Sequence, residues 1–455
     1  MTFIISLLFV VLMLSHCVAI IPFIRRIREH IMPAVEDFGI LSIILHYDIG
    51  ILLELSGFEY YNPFFRPFLQ ADTRSTIISL TILIVSPWLF IFGSRLVKNC
   101  ITLESAQQTS TILAKRAPIF YLVVFVVSCI PAIIGYRALS GYGAKISLLG
   151  SDYIRDLGLW TIIIYFPLYF LAYFVRQKNS KTGVGLVFIT FLFIANVLAT
   201  LPTGERTTIL MPILIISLFT FRITIARMAA ICISLVLLAS LILPIFRWHY
   251  HDATSSTPEL LMDTINGDLS RSQELVESIE RSNLTGTRIM PYPMAGYVFA
   301  ALQFVVPRSV APWKGYSTAA YFTGSIIHAD PDALEWGLGV GAIEEIMLNA
   351  GILWVVPGLL IYGALMGAFN RLSVRVPSLL IPTRLAPLWM CGYGLPTLML
   401  LFAVMGGVCW ICHILFSDGG VPVKNGRTLR FYEGVKVRSL SSSLFSRGVR
   451  TIEMR

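Results

Sequence analysis

Charge is scarce in this chain. Asp, Glu, Lys and Arg make up 13% of its 455 residues and hydrophobic residues 56%, whereas a soluble domain averages about 25% charged. That shortage excludes a surface wetted all round. No Gly-rich phosphate loop, no HExxH helix and no internal repeat stands out. The sequence therefore gives no ground for a P-loop nucleotidase, a zincin or a solenoid.

What the chain has instead is apolar blocks of roughly 18–25 residues, the length that crosses a ~30 Å hydrocarbon core. They predict spans near 2–24, 37–56, 75–94, 118–136, 157–175, 184–201, 207–221, 228–246 and 341–367. Residues 385–416 then form one long helix or a tight hairpin broken at Gly392–Pro396. The expectation is an all-α polytopic membrane protein with about 11 transmembrane helices. The first block, Thr2–Ile24, has no basic residues before it and no small-residue cleavage site after it, so it predicts a retained helix rather than a signal peptide.

Net charge is +9, and its distribution sets the orientation. With Arg25, Arg26 and Arg28 inside and the chain alternating, inside loops carry 15 of the 35 Lys and Arg, and the tail after Asp418 carries 8 more. Outside loops hold 12, six of them between Arg247 and Val340. An excess of basic residues in cytoplasmic loops favours this arrangement and points to lipid rather than nucleic acid as the partner. The chain then divides into a bundle of eight spans (1–246), a large outer loop (247–340), C-terminal spans (341–416) and a basic cytoplasmic tail (417–455). All seven cysteines fall in spans or inside loops, so the outer loop implies no disulfide framework.

Within that loop, Thr257–Ser282 predicts an amphipathic helix with Leu260, Leu261, Ile265, Leu269, Leu275, Val276 and Ile279 in its apolar stripe. Pro291–Trp313 contains four prolines and predicts a stiff, irregular stretch.

Four clusters could carry chemistry. Leu201–Pro212 puts Gly204, Glu205 and Arg206 at the outer end of a hairpin, either as a site or as an interfacial anchor, where charge snorkels at little cost. Arg271, in Gly267–Gln273, is either a site cation or part of a solvated helix face. Arg308 and Lys314 stand among Pro307 and Pro312. Proline fixes φ and lowers the entropy lost in holding such cations in place. They suit phosphate oxygens, whether of a substrate or of lipid headgroups. Finally, Glu344 and Glu345 open the helix of Gly341–Gly351, where acids favour the dipole. Asn349 lies one turn below Glu345 on the same face.

Other features are weaker. The histidines of Trp248–Asp252 have poor helical ligand spacing and no cysteine nearby, which argues against a metal. His46, Asp48 and Glu54 fall in or near the second span and are expected to face the bundle interior, as structural groups or as the lining of a cavity. Asn283-Leu284-Thr285 is a sequon by pattern only.

Taken in order, these motifs resemble the Wzy-type O-antigen (oligosaccharide repeat unit) polymerases: an outer-end Gly-x-Arg, a Ser-Arg before a helix, a Val-Pro-Arg loop and an acid-x-x-x-Asn-x-Gly helix start. The family's loop pattern is close to Pro-Arg-x-x-Trp-Pro-x-Lys-Pro, matched here by Pro307, Arg308, Pro312 and Lys314. Trp313 is displaced past the second proline, and Gly315 replaces the last one. Of the family's Glu-x-Tyr-x-Asn-x-Gly, Glu345, Asn349 and Gly351 are kept and Met347 replaces Tyr. The resemblance covers residues 201–370 in motif detail and the remainder by span pattern.

The resemblance implies a glycosyltransferase C-like fold in the bacterial inner membrane. It would act on undecaprenyl-diphosphate-linked glycan at the periplasmic face, without a cofactor or metal. It also implies Arg206, Arg271, Arg308 and Lys314 as diphosphate ligands and Glu345 as the group that orients or deprotonates the acceptor hydroxyl. Asn349 and Tyr321 would contact the glycan, Tyr316 and Trp313 could stack on sugar rings, and a chain-length regulator is a further candidate partner. An O-antigen ligase shares the fold and donor, and His249, His251 and His328 keep that alternative open. A lipid or polysaccharide transporter would be expected to show repeats and paired broken helices. A non-catalytic scaffold would leave glycan length indifferent to Arg308.

Overall fold

The computed structural model describes residues 3–29, 33–57, 65–100, 270–282, 289–291, 294–297, 315–331, 338–375 and 386–392, together with single positions between and beyond them. Five expected spans between 118 and 246 lie outside the described residues, apart from helical Ile194. So do Arg206, the Arg308–Lys314 loop and the basic tail.

The described residues are helical, with no strand among them. In chain order the helices are α1 (Phe3–Arg28), α2 (Val35–Ile43), α3 (Ile49–Leu55), α4 (Thr73–Cys100), α5 (Ser272–Arg281), α6 (Thr318–Ile327), α7 (Ala342–Ala350) and α8 (Val355–Arg375). A π-turn, Ile44–Asp48, joins α2 to α3, so Val35–Leu55 runs as one rod. Among the described residues, four segments are long and apolar enough to cross a membrane: Phe3–Arg28, Val35–Leu55, Thr73–Val97 and Ile352–Arg371. This is the pattern of an all-α membrane protein.

Burial follows the logic of a lipid-facing bundle, in which outward side chains are apolar and the inward face also takes small and polar residues. On α1, Phe3, Leu7, Val10, Leu14, Val18 and Ile21 are exposed along one stripe, while Ile5, Leu12, His16, Ala19, Phe23 and Ile27 are buried along the other. Among the described helices, α4 and α8 pack together most extensively. Gly363 and Gly367 lie four apart on α8, as small-residue helix contacts require. A Cβ on either would strike a backbone carbonyl of α4, that of Phe90 or of Ser94. Gly93 presses in turn on the carbonyl of Leu360.

Polar contacts tie α1 to its neighbours. At one end, Asp37 accepts from the Ala34 amide at 2.6 Å and pairs with Arg26, closing the α1–α2 turn. Deeper in the bundle, Pro87 has no N–H for the carbonyl of Leu83, four residues back in α4. His16 of α1 supplies the missing donor, with Nε2 2.9 Å from that oxygen. Its Nδ1 lies 2.6 Å from Asp48 Oδ2, at the end of the π-turn. One imidazole thus joins three spans.

Instead of a single span over 341–367, the structure has two elements. α7 ends at Gly351, whose φ of 96° is open to glycine but strained for other residues. The spanning segment then starts at Ile352. α7 lies back against it, with Ile346 packed on Gly358.

Candidate functional site

The site is assembled where the π-turn, α5, α7 and the turn Trp389–Gly392 meet. A π-turn inserts one residue into the helix, disturbs the i→i−4 register and recurs at functional sites. Here the carbonyl of His46 accepts a 2.6 Å hydrogen bond from the Arg271 amide, at the N-cap of α5. One turn on, Gly50 has no side chain, and the hydroxyls of Ser270 and Ser272 occupy the space a Cβ would need. Glu54 completes the docking by accepting from Gln273 Nε2 at 3.0 Å and from the Phe68 and Leu69 amides at 2.9 and 3.0 Å.

α5 is therefore an interior element. Leu275, Val276 and Ile279 are buried as the periodicity predicts, but so are Gln273, Glu274, Glu277 and Ser278 on the polar face. The solvated-face reading of Arg271 does not hold, since its side chain is 15% exposed. Nη1 donates to Glu274 Oε1 at 3.0 Å and to the Gly339 carbonyl at 3.3 Å. Gly339 must lack a side chain, because a Cβ there would stand 2.6 Å from the guanidinium.

α7 presents its two acids to different neighbours, as residues about 100° apart on a helix must. Glu344 turns to the π-turn, where Tyr47 Oη donates to its Oε1 at 2.7 Å. Its Oε2 is buried with no hydrogen-bond partner among the described residues. Burial pushes this carboxyl up to about 7; the Tyr47 bond and Arg271 oppose that shift, and Glu274 adds to it. Burial likewise raises Glu274, against the pull of Arg271.

Glu345 faces the other way. Thr318 Oγ1, in the first turn of α6, donates to its Oε1 at 3.4 Å. The carboxylate lies against Gly394, where a Cβ would come within 2.6 Å of it. The Tyr297 phenol is raised well above its ordinary value, first by burial and then by the Glu345 charge.

Asn349 spends its amide inside the fold. Nδ2 donates to Thr318 Oγ1 and to the Glu345 carbonyl, both at 2.9 Å, and Oδ1 accepts from the Gly296 amide at 2.8 Å. Its carbonyl also accepts from Met294, held at φ 64°. Asn349 thus clamps residues 294–296 and α6 onto α7. Tyr321, on α6, packs edge-on to Tyr316 with ring centroids 5.9 Å apart, and its hydroxyl accepts from the Tyr316 amide at 3.5 Å.

The turn Trp389–Gly392 wedges between the second span and α7. Met390 accepts from the Ala342 amide at 2.7 Å, and the Cys391 amide donates to Ser42 Oγ at 3.4 Å. Gly392 faces His46, with a Cβ position 3.5 Å from Nε2. His46 is half-buried, and its Nδ1 lies 2.8 Å from the Ser42 carbonyl.

The structure thus brings Arg271, Glu345, Asn349 and Tyr321 onto mutually packed elements, while Arg206, Arg308 and Lys314 lie outside the described residues. His46, Tyr47, Glu344, Gly392 and Gly394 join them. Of these, His46 was marked by its place in a span and Glu344 by its helix start. The two glycines read from sequence only as a break. The sequence also holds Cys409-Trp410-Ile411-Cys412-His413, a C-x-x-C-H run whose spacing is used in thiol redox and haem attachment; it lies outside the described residues. Compared with family models, with curated proteins and with solved structures, the chain finds no match.

Proposed function

We propose that this chain polymerises undecaprenyl-diphosphate-linked oligosaccharide repeat units at the periplasmic face of the bacterial inner membrane. It would be a metal-independent glycosyltransferase with about 11 spans and a large outer loop over residues 247–340. The observation that carries the reading is the packing of α5 on α7. Two motifs 74 positions apart, the Ser-Arg at residue 271 and the Glu-x-x-x-Asn from residue 345, meet inside one bundle. A loop binding only lipid headgroups gives no reason for an arginine to be buried beside that helix.

The growing glycan is the donor, and its anomeric carbon carries the lipid diphosphate. Charge develops on the diphosphate as it leaves. Fixed cations aimed there stabilise the transition state more than the ground state. Arg308 is the principal cation, with Arg206, Lys314 and Arg271 as further ligands. Glu345 orients the acceptor hydroxyl, Asn349 fixes the helix that presents Glu345, and Tyr321 lines the glycan path.

The surface-glycan profile of a deletion strain tests this. Loss of the polymerase leaves cores capped by a single repeat, loss of a ligase leaves bare cores and lipid-linked chains, and an unchanged ladder refutes both. Arg308→Lys should fail to restore the ladder, because ammonium cannot replace the bidentate fork of guanidinium.

A further inference from the structure

We propose that His46 is the proton acceptor for the attacking hydroxyl, a catalytic residue of the second span; the proposal rests on the glycosyl-transfer reading above. His46 Nδ1 faces the Ser42 carbonyl at 2.8 Å, and a carbonyl can only accept, so Nδ1 carries the hydrogen. With that hydrogen on Nδ1, the neutral ring carries its lone pair on Nε2, the position from which a general base acts.

Three further observations give that lone pair a direction. The π-turn carries the ring, and the Arg271 amide holds its backbone through the 2.6 Å bond to the His46 carbonyl. His46 is half-buried, unlike its neighbours Tyr47 and Asp48, which are committed to Glu344 and His16. Gly392, without a side chain, leaves Nε2 uncovered on its side, where a Cβ would stand 3.5 Å away, and two residues later the Glu345 carboxylate packs directly against Gly394. Two glycines two positions apart thus adjoin the two groups.

In the step, the acceptor hydroxyl oxygen bonds to the anomeric carbon as that carbon's bond to the diphosphate oxygen breaks. The electron pair of that bond leaves with the diphosphate, beside Arg271. The hydroxyl proton passes to His46 Nε2 and is then released to the diphosphate or to water. Glu345 orients the hydroxyl without taking the proton.

The test uses the full chain in membrane vesicles of a deletion strain, supplied with that strain's own lipid-linked repeat units. His46→Gln keeps an acceptor near the Nε2 position and removes its basicity. Turnover is expected to fall about 100-fold or more, while binding of lipid-linked repeat units stays within about twofold. Turnover within about tenfold of wild type would overturn the proposal and leave the polymerase reading standing. If His46→Gln does not fold, Gly392→Val decides. Its methyls would cover Nε2 without altering His46, and polymer formation should drop at least about tenfold, at the low end of general-base effects. An undiminished ladder in that variant overturns the proposal. Absence of polymer from the wild-type chain overturns both readings together.

Discussion

Replacing Glu344 by Gln tests the electrostatics of the site independently of any substrate. Glu344 is 1% exposed, one of its oxygens accepts from Tyr47, and the other is buried without a partner among the described residues. Its carboxyl sits at about 7 in the folded chain against an ordinary 4.5, chiefly through burial. A raised acid loses stability as pH rises. Between 4.5 and about 7 the unfolded chain gives up a proton that the folded chain keeps, and above 7 the loss is complete. At 1.36 kcal/mol per pH unit, that window holds about 3 kcal/mol. Gln keeps an acceptor for Tyr47 and cannot ionise. The stability of Glu344→Gln relative to wild type should therefore improve by about 3 kcal/mol between pH 5 and pH 8. Equilibrium unfolding in mixed dodecyl maltoside–SDS micelles, followed by tryptophan fluorescence at the two pH values, measures this directly. Glu274, present in both proteins, largely cancels in the comparison. An equal difference at pH 5 and pH 8 would refute the assignment of Glu344 as a buried, high-pKa acid.

His16→Ala strands Asp48 and the Leu83 carbonyl together, so the same unfolding assay should register a loss of about 3–5 kcal/mol. The double replacement of His16 and Asp48 by leucine should recover the part due to the stranded Asp48, while the Leu83 carbonyl stays without its donor; a double variant as unstable as the single one would contradict the His16–Asp48 pairing. Gly367→Val pushes a branched side chain into the Ser94 carbonyl of α4 and should cost about 1–3 kcal/mol by overpacking; full stability would mean that the α4–α8 crossing is looser than described. Asn349→Ala leaves the Gly296 amide without its acceptor, at about 1–3 kcal/mol. Hydrogen exchange should then rise at residues 294–297, a readout that a pure substrate contact would not move.

Much of the frame was legible because a bilayer imposes length and polarity together. α1, the α2–α3 rod, α4 and α8 all fall where apolar blocks of spanning length occur. The π-turn within Val35–Leu55 was not legible, because an inserted residue leaves hydropathy unchanged. Its consequence, a carbonyl turned towards Arg271, depends on a partner 225 positions away. The break at Gly351 was equally hidden. Residues 341–367 are continuously apolar enough to read as one span, and only the positive φ at Gly351 separates a buried helix lying alongside from the span itself.

The site shows why periodicity misleads for elements buried on every side. α5 has the alternation of a surface helix, so its polar face reads as solvated. In the fold, Gln273 and Glu274 of that face are held by Glu54 and Arg271. Polar residues that bond one another across elements look the same in sequence as polar residues bonded to water. Glycines carry the complementary signal. Gly50, Gly339, Gly392 and Gly394 each mark a place where a serine hydroxyl, a guanidinium, an imidazole or a carboxylate comes up against the backbone. Read as a set they outline the site. Read singly, as the Gly392–Gly394 break was, they suggest only a turn. The two kinds of residue are linked physically: a buried charged group needs several close partners at once, and removing a side chain is the simplest way to let backbone approach it.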